Sequence, residues 1–330
     1  RIPHLGSIKR DVTENMSDTT TNITPEPAAG QSGLFRQLAR RIQSRWQSIV
    51  VFVPYAWLLV FFLLPFFIVA KISLAEIVIA SPPFSSMIEW TDEGVMNIRL
   101  VFDNFIYILT DNLYYRTYFN SLKISIISTI VCLLIGYPMA YGIVRSGPVA
   151  KKLLLFAVIL PFWTSFLLRV YAWMGLLADR GTINNLLISL GLIDEPIRML
   201  YTEFAVYIGI VYTYLPFMIL PLYANMERLD NTLNEAAADL GSRPMNTFLK
   251  VTLPLTIPGI VAGSLLVFIP ATGEYVIPDL LGGGNVLMIG RLLFNEFSAN
   301  TDWPVASAVA IILLVLLVLP MTIYQYFQGK

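Results

Sequence analysis

Six long apolar runs, at residues 49–70, 118–144, 153–177, 203–225, 256–280 and 304–327, constrain this chain more than anything else in it. A bilayer core of ~30 Å is crossed by about 20 apolar residues of α-helix, and each run reaches that length. Apolar side chains make up 56% of the 330 residues and charged ones 13%, too few charges to cover a water-soluble domain. Alternating apolar and polar templates fit nowhere well. The expectation is an all-α integral membrane protein of six transmembrane helices, without strands. Pro65, Pro138, Pro161, Pro216, Pro221, Pro270 and Pro278 fall within the runs. Neighbouring helices re-satisfy the carbonyls that such residues free, so they predict kinks and broken segments along the spans.

Charge then orients the chain. Lysine and arginine total 22, as do aspartate and glutamate, a balance that argues against a basic footprint for nucleic acid. Arg36, Arg40, Arg41 and Arg45 precede the first run, and Arg145, Lys151 and Lys152 follow the second. By the excess of basic residues in cytoplasmic loops, both segments face the cytoplasm. The 71–117 connection is rich in acids and suits the opposite side. Six spans then leave both termini and the 226–255 loop cytoplasmic. Residues 1–47 are polar and poor in large apolar groups, which predicts a disordered cytoplasmic tail. Within it, Met16 reads as a natural start, leaving residues 1–15 as added sequence. Residues 48–330 form the membrane domain.

The 227–254 loop is organised as a short helical unit. Thr232 and Glu235 have the spacing of a capping box, which starts a helix at Thr232. Leu233, Ala236, Ala237 and Leu240 repeat at three- and four-residue steps, giving one narrow apolar stripe fit for a groove on another protein. Gly241 suits a helix end that needs positive φ. Pro244 opens a second short helix from Met245 to about Lys250, with Leu253-Pro254 ending it ahead of the fifth run. The competing reading, a helix lying on lipid headgroups, is opposed by Glu227, Asp230, Glu235 and Asp239.

The order E-A-A-x-x-x-G, nine residues, then V-x-L-P (Glu235 to Gly241, Val251 to Pro254) resembles the EAA signature of bacterial ABC-importer permeases. The blocks Leu160–Gly175, Gly273–Gly283 and Asp302–Ala310 resemble the polyamine members, the putrescine type in particular. The likeness runs from about residue 50 to the end. It implies a type I importer permease fold whose coupling helix, with Leu233, Glu235, Ala236, Ala237, Leu240 and Gly241, docks on an ATPase. It also implies a homologous second permease subunit, two ATPase subunits that carry ATP and Mg²⁺, and a periplasmic polyamine-binding protein. The expected location is the bacterial inner membrane.

Charged groups inside spans are costly and therefore functional candidates. Arg169 and Glu274 lie at similar depth in the outer halves of the third and fifth runs, which permits a salt bridge between them. The other reading places Glu274 on the substrate pathway, where its carboxylate attracts an ammonium group and Tyr275, Tyr171 and Trp173 add cation–π contacts. Asp279 reads as a solvated acid at a span end. The segment 181–192 is amphipathic and too short to span, either a shelf for a binding protein or ordinary loop packing.

Other chemistry finds little support. No G-x-x-x-x-G-K-S/T is present, so ATP hydrolysis belongs to another chain, and Gly282-Gly283-Gly284 reads as a turn. The lone Cys132 lies in an apolar run and reads as packing, and His4 sits in the polar tail. Nothing suggests a cofactor or metal in this chain, or an enzyme: the spans hold no paired acids, serine–histidine set or metal-ligand spacing. An ion-coupled secondary transporter would show inverted halves with matching broken helices, and no convincing repeat is present. Within the family, spermidine or another cargo stays open.

Overall fold

The computed structural model describes residues 50–90, 96–230 and 232–328. The expected tail at 1–47, with Met16 and its arginines, lies outside them. The chain divides into two compact units, Arg1–Leu64 and Pro65–Lys330. The described part of the first, residues 50–64, is helical with a π-turn at Leu59–Leu63, and it turns Phe52, Trp57 and Phe61 outward. Together with the residues that follow, it forms the 24-residue helix α1 (Val50–Ser73), apolar and unburied along its most hydrophobic stretch.

In the second unit, the connection after α1 carries a two-stranded antiparallel hairpin, β1 (Ile88–Trp90) and β2 (Met96–Ile98), with Ile88 opposite Ile98. This corrects the expectation of no strands: three-residue strands are too short to leave an alternation in the sequence. The helix α2 (Asp103–Thr110) follows. Its Asn104 amide donates to the carbonyls of Ser73 and Ala75 at 3.0 and 2.9 Å, folding the connection back on itself.

The long helix α3 (Asn112–Arg145) starts on Asp111, whose carboxylate accepts the Leu113 N–H at 2.7 Å. After it come α4 (Pro148–Ile159), a 3₁₀ turn at Leu160–Trp163, α5 (Phe166–Leu177) and α6 (Thr182–Ser189). Then follow α7 (Glu203–Met226), α8 (Thr232–Asp239), α9 (Pro244–Thr247), a π-turn at Phe248–Thr252 and α10 (Leu253–Thr272). The chain closes with α11 (Val276–Leu280), α12 (Ile289–Ser298) and α13 (Trp303–Gln328).

The core is the mutual packing of α3, α7 and α10. Small residues set the approach. A β-carbon at Gly136 of α3 would lie 3.0 Å from the Met218 side chain of α7, and one at Gly263 of α10 would lie 2.8 Å from its sulfur. Close backbone approach of this kind is how helices gain dispersion contacts where lipid offers no hydrophobic drive. A polar tie crosses the same core, where the Tyr137 and Thr256 hydroxyls pair at 3.0 Å, and another joins α3 to α13, where Tyr118 donates to the Val309 carbonyl at 2.7 Å.

Among the described residues, four helices are long and apolar enough to cross a bilayer: Val50–Ser73, Asn112–Arg145, Glu203–Met226 and Pro244–Thr272. A fifth span exists if Pro148–Trp163 and Phe166–Ser189 count as one, although they meet at 91°. The expected third span is therefore broken. Pro161 sits in the 3₁₀ turn, and Thr164 and Ser165 are extended, with ψ of 151° and 137°. The expected fifth span also differs at both ends. It begins earlier, because Leu253-Pro254 does not end the preceding helix: the Leu253 N–H reaches the Phe248 carbonyl five residues back, and the wider turn admits the proline. It ends sooner, at Thr272, leaving Gly273, Glu274 and Tyr275 as a break before α11. The last run falls in α13, which is apolar over Trp303–Leu319. The 181–192 segment forms α6, held by Asn184, whose amide donates to the Ile197 carbonyl at 2.9 Å and whose oxygen accepts the Ile197 N–H at 3.0 Å.

Candidate functional site

Two places on the second unit carry the sequence candidates: the 227–254 loop and the break at Glu274. The loop begins where the Glu227 carboxylate takes the Lys151 ammonium of α4 at 2.9 Å. Helix α8 is then started by Asp230, whose carboxylate accepts the Thr232 N–H at 3.0 Å. The capping box expected between Thr232 and Glu235 is not formed. Thr232 is already helical, and both its backbone N–H and its hydroxyl bond Asp230, in that order of effect, holding that carboxyl below the usual carboxylate range. The cap therefore contributes above the unfolded carboxylate pKa of about 4 and is lost as pH falls through the lower folded value. Asp230→Ala is expected to weaken retention of a docked partner measurably at pH 7, and Asp230→Asn much less, since an amide oxygen still caps. Equal retention for both variants and wild type in a pull-down would remove Asp230 from the account.

The other end of α8 closes as a Schellman motif. The Ser242 N–H reaches the Ala237 carbonyl at 3.0 Å and the Gly241 N–H reaches Ala238 at 2.8 Å, with Gly241 at φ +77°. Asn234 and Ala237 face inward, and the Thr252 hydroxyl donates to the Asn234 side-chain oxygen at 3.2 Å. Leu233, Glu235 and Ala236 are exposed, and Leu240 is 89% exposed. Met245 and Leu249, in the segment that follows, are exposed as well. Ala237 thus leaves the expected outward stripe and joins the packed side. The loop's root is anchored by Phe248, whose ring stands edge-on to Tyr137 and Tyr141 of α3 at 5.7 and 6.0 Å.

Glu274 sits in the break between α10 and α11 and is 9% exposed. One carboxylate oxygen accepts the Val276 N–H at 3.1 Å, and the other accepts the Tyr214 hydroxyl at 2.5 Å. The break can approach α12 because residue 290 is glycine; a β-carbon there would overlap the Gly273 carbonyl. Among the described residues no ion pair joins Arg169 to Glu274. Depth along the spans put the two charges level, but the contacts leading from one to the other pass through rings. The Arg169 guanidinium lies 5.4 Å from the Phe162 ring, Phe162 is 5.3 Å from Phe217, Phe217 is 6.1 Å from Tyr214, and Tyr214 holds Glu274.

The expected aromatic set around Glu274 is not assembled either. Tyr171 is exposed, Trp173 stands edge-on to Tyr212 at 5.5 Å, and Tyr275 stacks on Phe294 at 4.7 Å. Tyr214, the ring that does meet Glu274, went unnoticed because a tyrosine inside an apolar run looks like any other interfacial aromatic. Asp279 is not simply solvated, since its carboxylate pairs with the Arg291 Nε at 3.0 Å.

A second buried acid also escaped the sequence. Glu296 accepts the Tyr114 hydroxyl and the Asn300 amide, each at 2.8 Å. Asp103 and Asp302 share with it the wall of a cavity of about 460 Å³. Burial pushes the Asp302 carboxyl above its usual range, against the pull of the Val305 N–H bond. Tyr114→Phe is expected to cost ~1.5–3 kcal/mol, as for a hydrogen bond to a charged group. Thermal unfolding of the detergent-solubilised protein measures it, and an unchanged midpoint would show that the bond contributes nothing.

Comparison with known proteins bears on both places. Residues 28–330 match the family described as binding-protein-dependent transport system inner membrane component. The chain belongs to this family. The permease is 42% identical over 289 residues to the spermidine/putrescine transport system permease protein PotB of Haemophilus influenzae, covering 88% of this chain and 96% of that protein. It is also 42% identical over 236 residues to the protein of the same name from Escherichia coli, covering 71% and 86%. Among solved structures, a bacterial ABC transporter involved in import of the acidic polysaccharide alginate aligns with TM-score 0.60 at 18% identity, covering 88% of the permease and 99% of that chain. A second alginate transporter structure, in complex with its alginate pentasaccharide-bound periplasmic protein, gives 0.61 at 19% identity over 86% and 94%. These likenesses establish an ABC-importer permease fold. The permease is thus a multi-pass inner-membrane component of a transport system.

Proposed function

We propose that this chain is one of two homologous permease subunits of an ATP-driven polyamine importer, with putrescine as its cargo. In this reading two ATPase subunits, which carry ATP and Mg²⁺, sit below the cytoplasmic 227–254 loop. A periplasmic polyamine-binding protein delivers cargo from the other side, and both chain termini are cytoplasmic. One observation carries the reading: α8 is capped at both ends and presents Leu233, Ala236 and Leu240 outward, in a chain 42% identical to proteins named as spermidine/putrescine permeases. Six membrane crossings remain the expected count, with the last run as the sixth.

The mechanism follows from what links the two places. Residues Pro244–Thr272 form one helix of 29 residues, so the docking loop stands at one end and Glu274 just beyond the other. Closure of the ATPases moves the loop, and α10 carries the displacement to the break. Glu274, already desolvated, offers a carboxylate to a passing ammonium group. A switch from one orientation to the other takes about 5.5 kcal/mol of differential binding for a shift from 1:99 to 99:1, supplied by ATP and the loaded binding protein together.

Reconstitution of the complete transporter in proteoliposomes tests this. The expected result is uptake of labelled putrescine that requires ATP, Mg²⁺ and the binding protein. Uptake driven by an ion gradient without the ATPase would overturn the importer reading. The names of the relatives favour spermidine equally as a second cargo, and transport of spermidine with exclusion of putrescine would move the assignment to it.

A further inference from the structure

Two of the three guanidinium nitrogens of Arg169 lack an acceptor among the described residues. These two atoms, Nε and Nη1, are buried, while the residue as a whole is partly exposed. The four described ion pairs do not include it. Its surroundings are rings, Phe162 at 5.4 Å and Phe166 at 5.9 Å from the guanidinium carbon. Cation–π attraction compensates part of the lost hydration, but neither ring accepts an N–H in the guanidinium plane. A guanidinium cannot discharge by losing its proton, so the missing group must be an acceptor.

Four of the chain's acids in or beside the membrane helices are already engaged. Glu274 holds Tyr214 and the Val276 N–H, Glu203 holds Lys123, Glu227 holds Lys151, and Asp279 holds Arg291. Within a few residues of Arg169 in the chain, at the 91° bend, Trp163 is 74% exposed and Leu168 66%, with Leu167 and Tyr171 also exposed. A partly buried arginine packed on two phenylalanine rings, with exposed Trp, Tyr and Leu close by in the chain, has the composition of an interface anchor. Lipid tails would cover these side chains but leave the arginine unanswered. An unneutralised guanidinium would also repel a polyammonium cargo.

We infer that this face of α5 and of the 3₁₀ turn before it contacts the second permease subunit, which places a carboxylate on Arg169. This rests on the proposed pairing of two homologous permeases.

The test uses the complete transporter. Arg169→Glu is expected to lower recovery of the second permease with this chain by about tenfold or more, because like charges then meet in a desolvated contact. Changing one acid in the membrane helices of the second permease to lysine should restore recovery and uptake, and a scan of those acids identifies it. Arg169→Met, which keeps the bulk without the charge, should insert normally and assemble poorly. Normal assembly and uptake for both variants would overturn the inference. So would a defect present in the isolated chain that no change in the second permease repairs, which would make Arg169 an internal residue. Rescue by anionic lipid instead of by the second subunit would also overturn it, and would assign the acceptor to a phosphate. If the wild-type chain recovers no second permease at all, the proposed function itself fails, an outcome distinct from all of these.

Discussion

Gly241→Val uncouples transport while leaving the membrane helices packed. Residue 241 closes α8 at φ +77°, a conformation that costs an L-residue roughly 1–2 kcal/mol and a β-branched one more. No neighbour would be struck, since a β-carbon at this position meets nothing within 4 Å, so the damage stays local. The valine is expected to leave the left-handed region, releasing the bonds to the Ala237 and Ala238 carbonyls and turning Leu240 away from its docking position. Gly241→Asn is the matched control, because asparagine tolerates the left-handed region and should retain most coupling. Complexes carrying each variant are scored for ATPase co-purification, hydrolysis stimulated by the binding protein, and putrescine uptake. Near-normal values of all three for the valine variant would show that this loop is not the coupling element.

Glu274→Gln lowers polyamine uptake about tenfold or more while assembly survives. The amide oxygen still accepts the Val276 N–H that shapes the break, so the fold around residue 274 has no reason to fail. What disappears is the charge. Two unit charges 4 Å apart attract by ~4 kcal/mol at an effective dielectric of 20, and losing about a third of that corresponds to roughly tenfold. Tyr214→Phe separates charge from scaffold: it removes the hydroxyl partner but keeps the carboxylate, and its effect on uptake should be the smaller of the two. If Glu274→Gln transports normally, or if both variants lose the complex before uptake can be read, Glu274 is a structural acid and its pathway role should be dropped.

Legibility of the fold followed the range of the interactions that decide it. Helices α3 and α7 were readable because 20 or more apolar residues leave one economical solution in a bilayer, and Gly241 was readable because a helix end is specified by its own few residues. The start of α8 at Thr232 is legible on the same short scale, but its cap is not, since Asp230 and Thr232 both offer a capping oxygen and only the backbone decides which is used. Pro161 and Gly273 were harder. Membrane helices absorb prolines when neighbours supply the missing bonds, so a bend of 91° a few residues after Pro161 and continuity through Pro254 look alike in sequence. The candidate pathway suffered most. Placing Arg169 and Glu274 at equal depth fixes height, but not azimuth, and the rings of Phe162, Phe217 and Tyr214 come from two different helices.

The unbroken helix from Pro244 to Thr272 also behaves as a lever. At 1.5 Å per residue its 29 residues extend about 44 Å. Pivoted at the docking loop, such a rod needs a tilt of only about 5° to carry its far end sideways by roughly 4 Å, near the spacing of adjacent α-carbons. A displacement of that size at Thr272 would be enough to reseat Glu274 against a different neighbour, so on the proposed coupling through the 227–254 loop small motions of a docked ATPase would have leverage on that carboxylate.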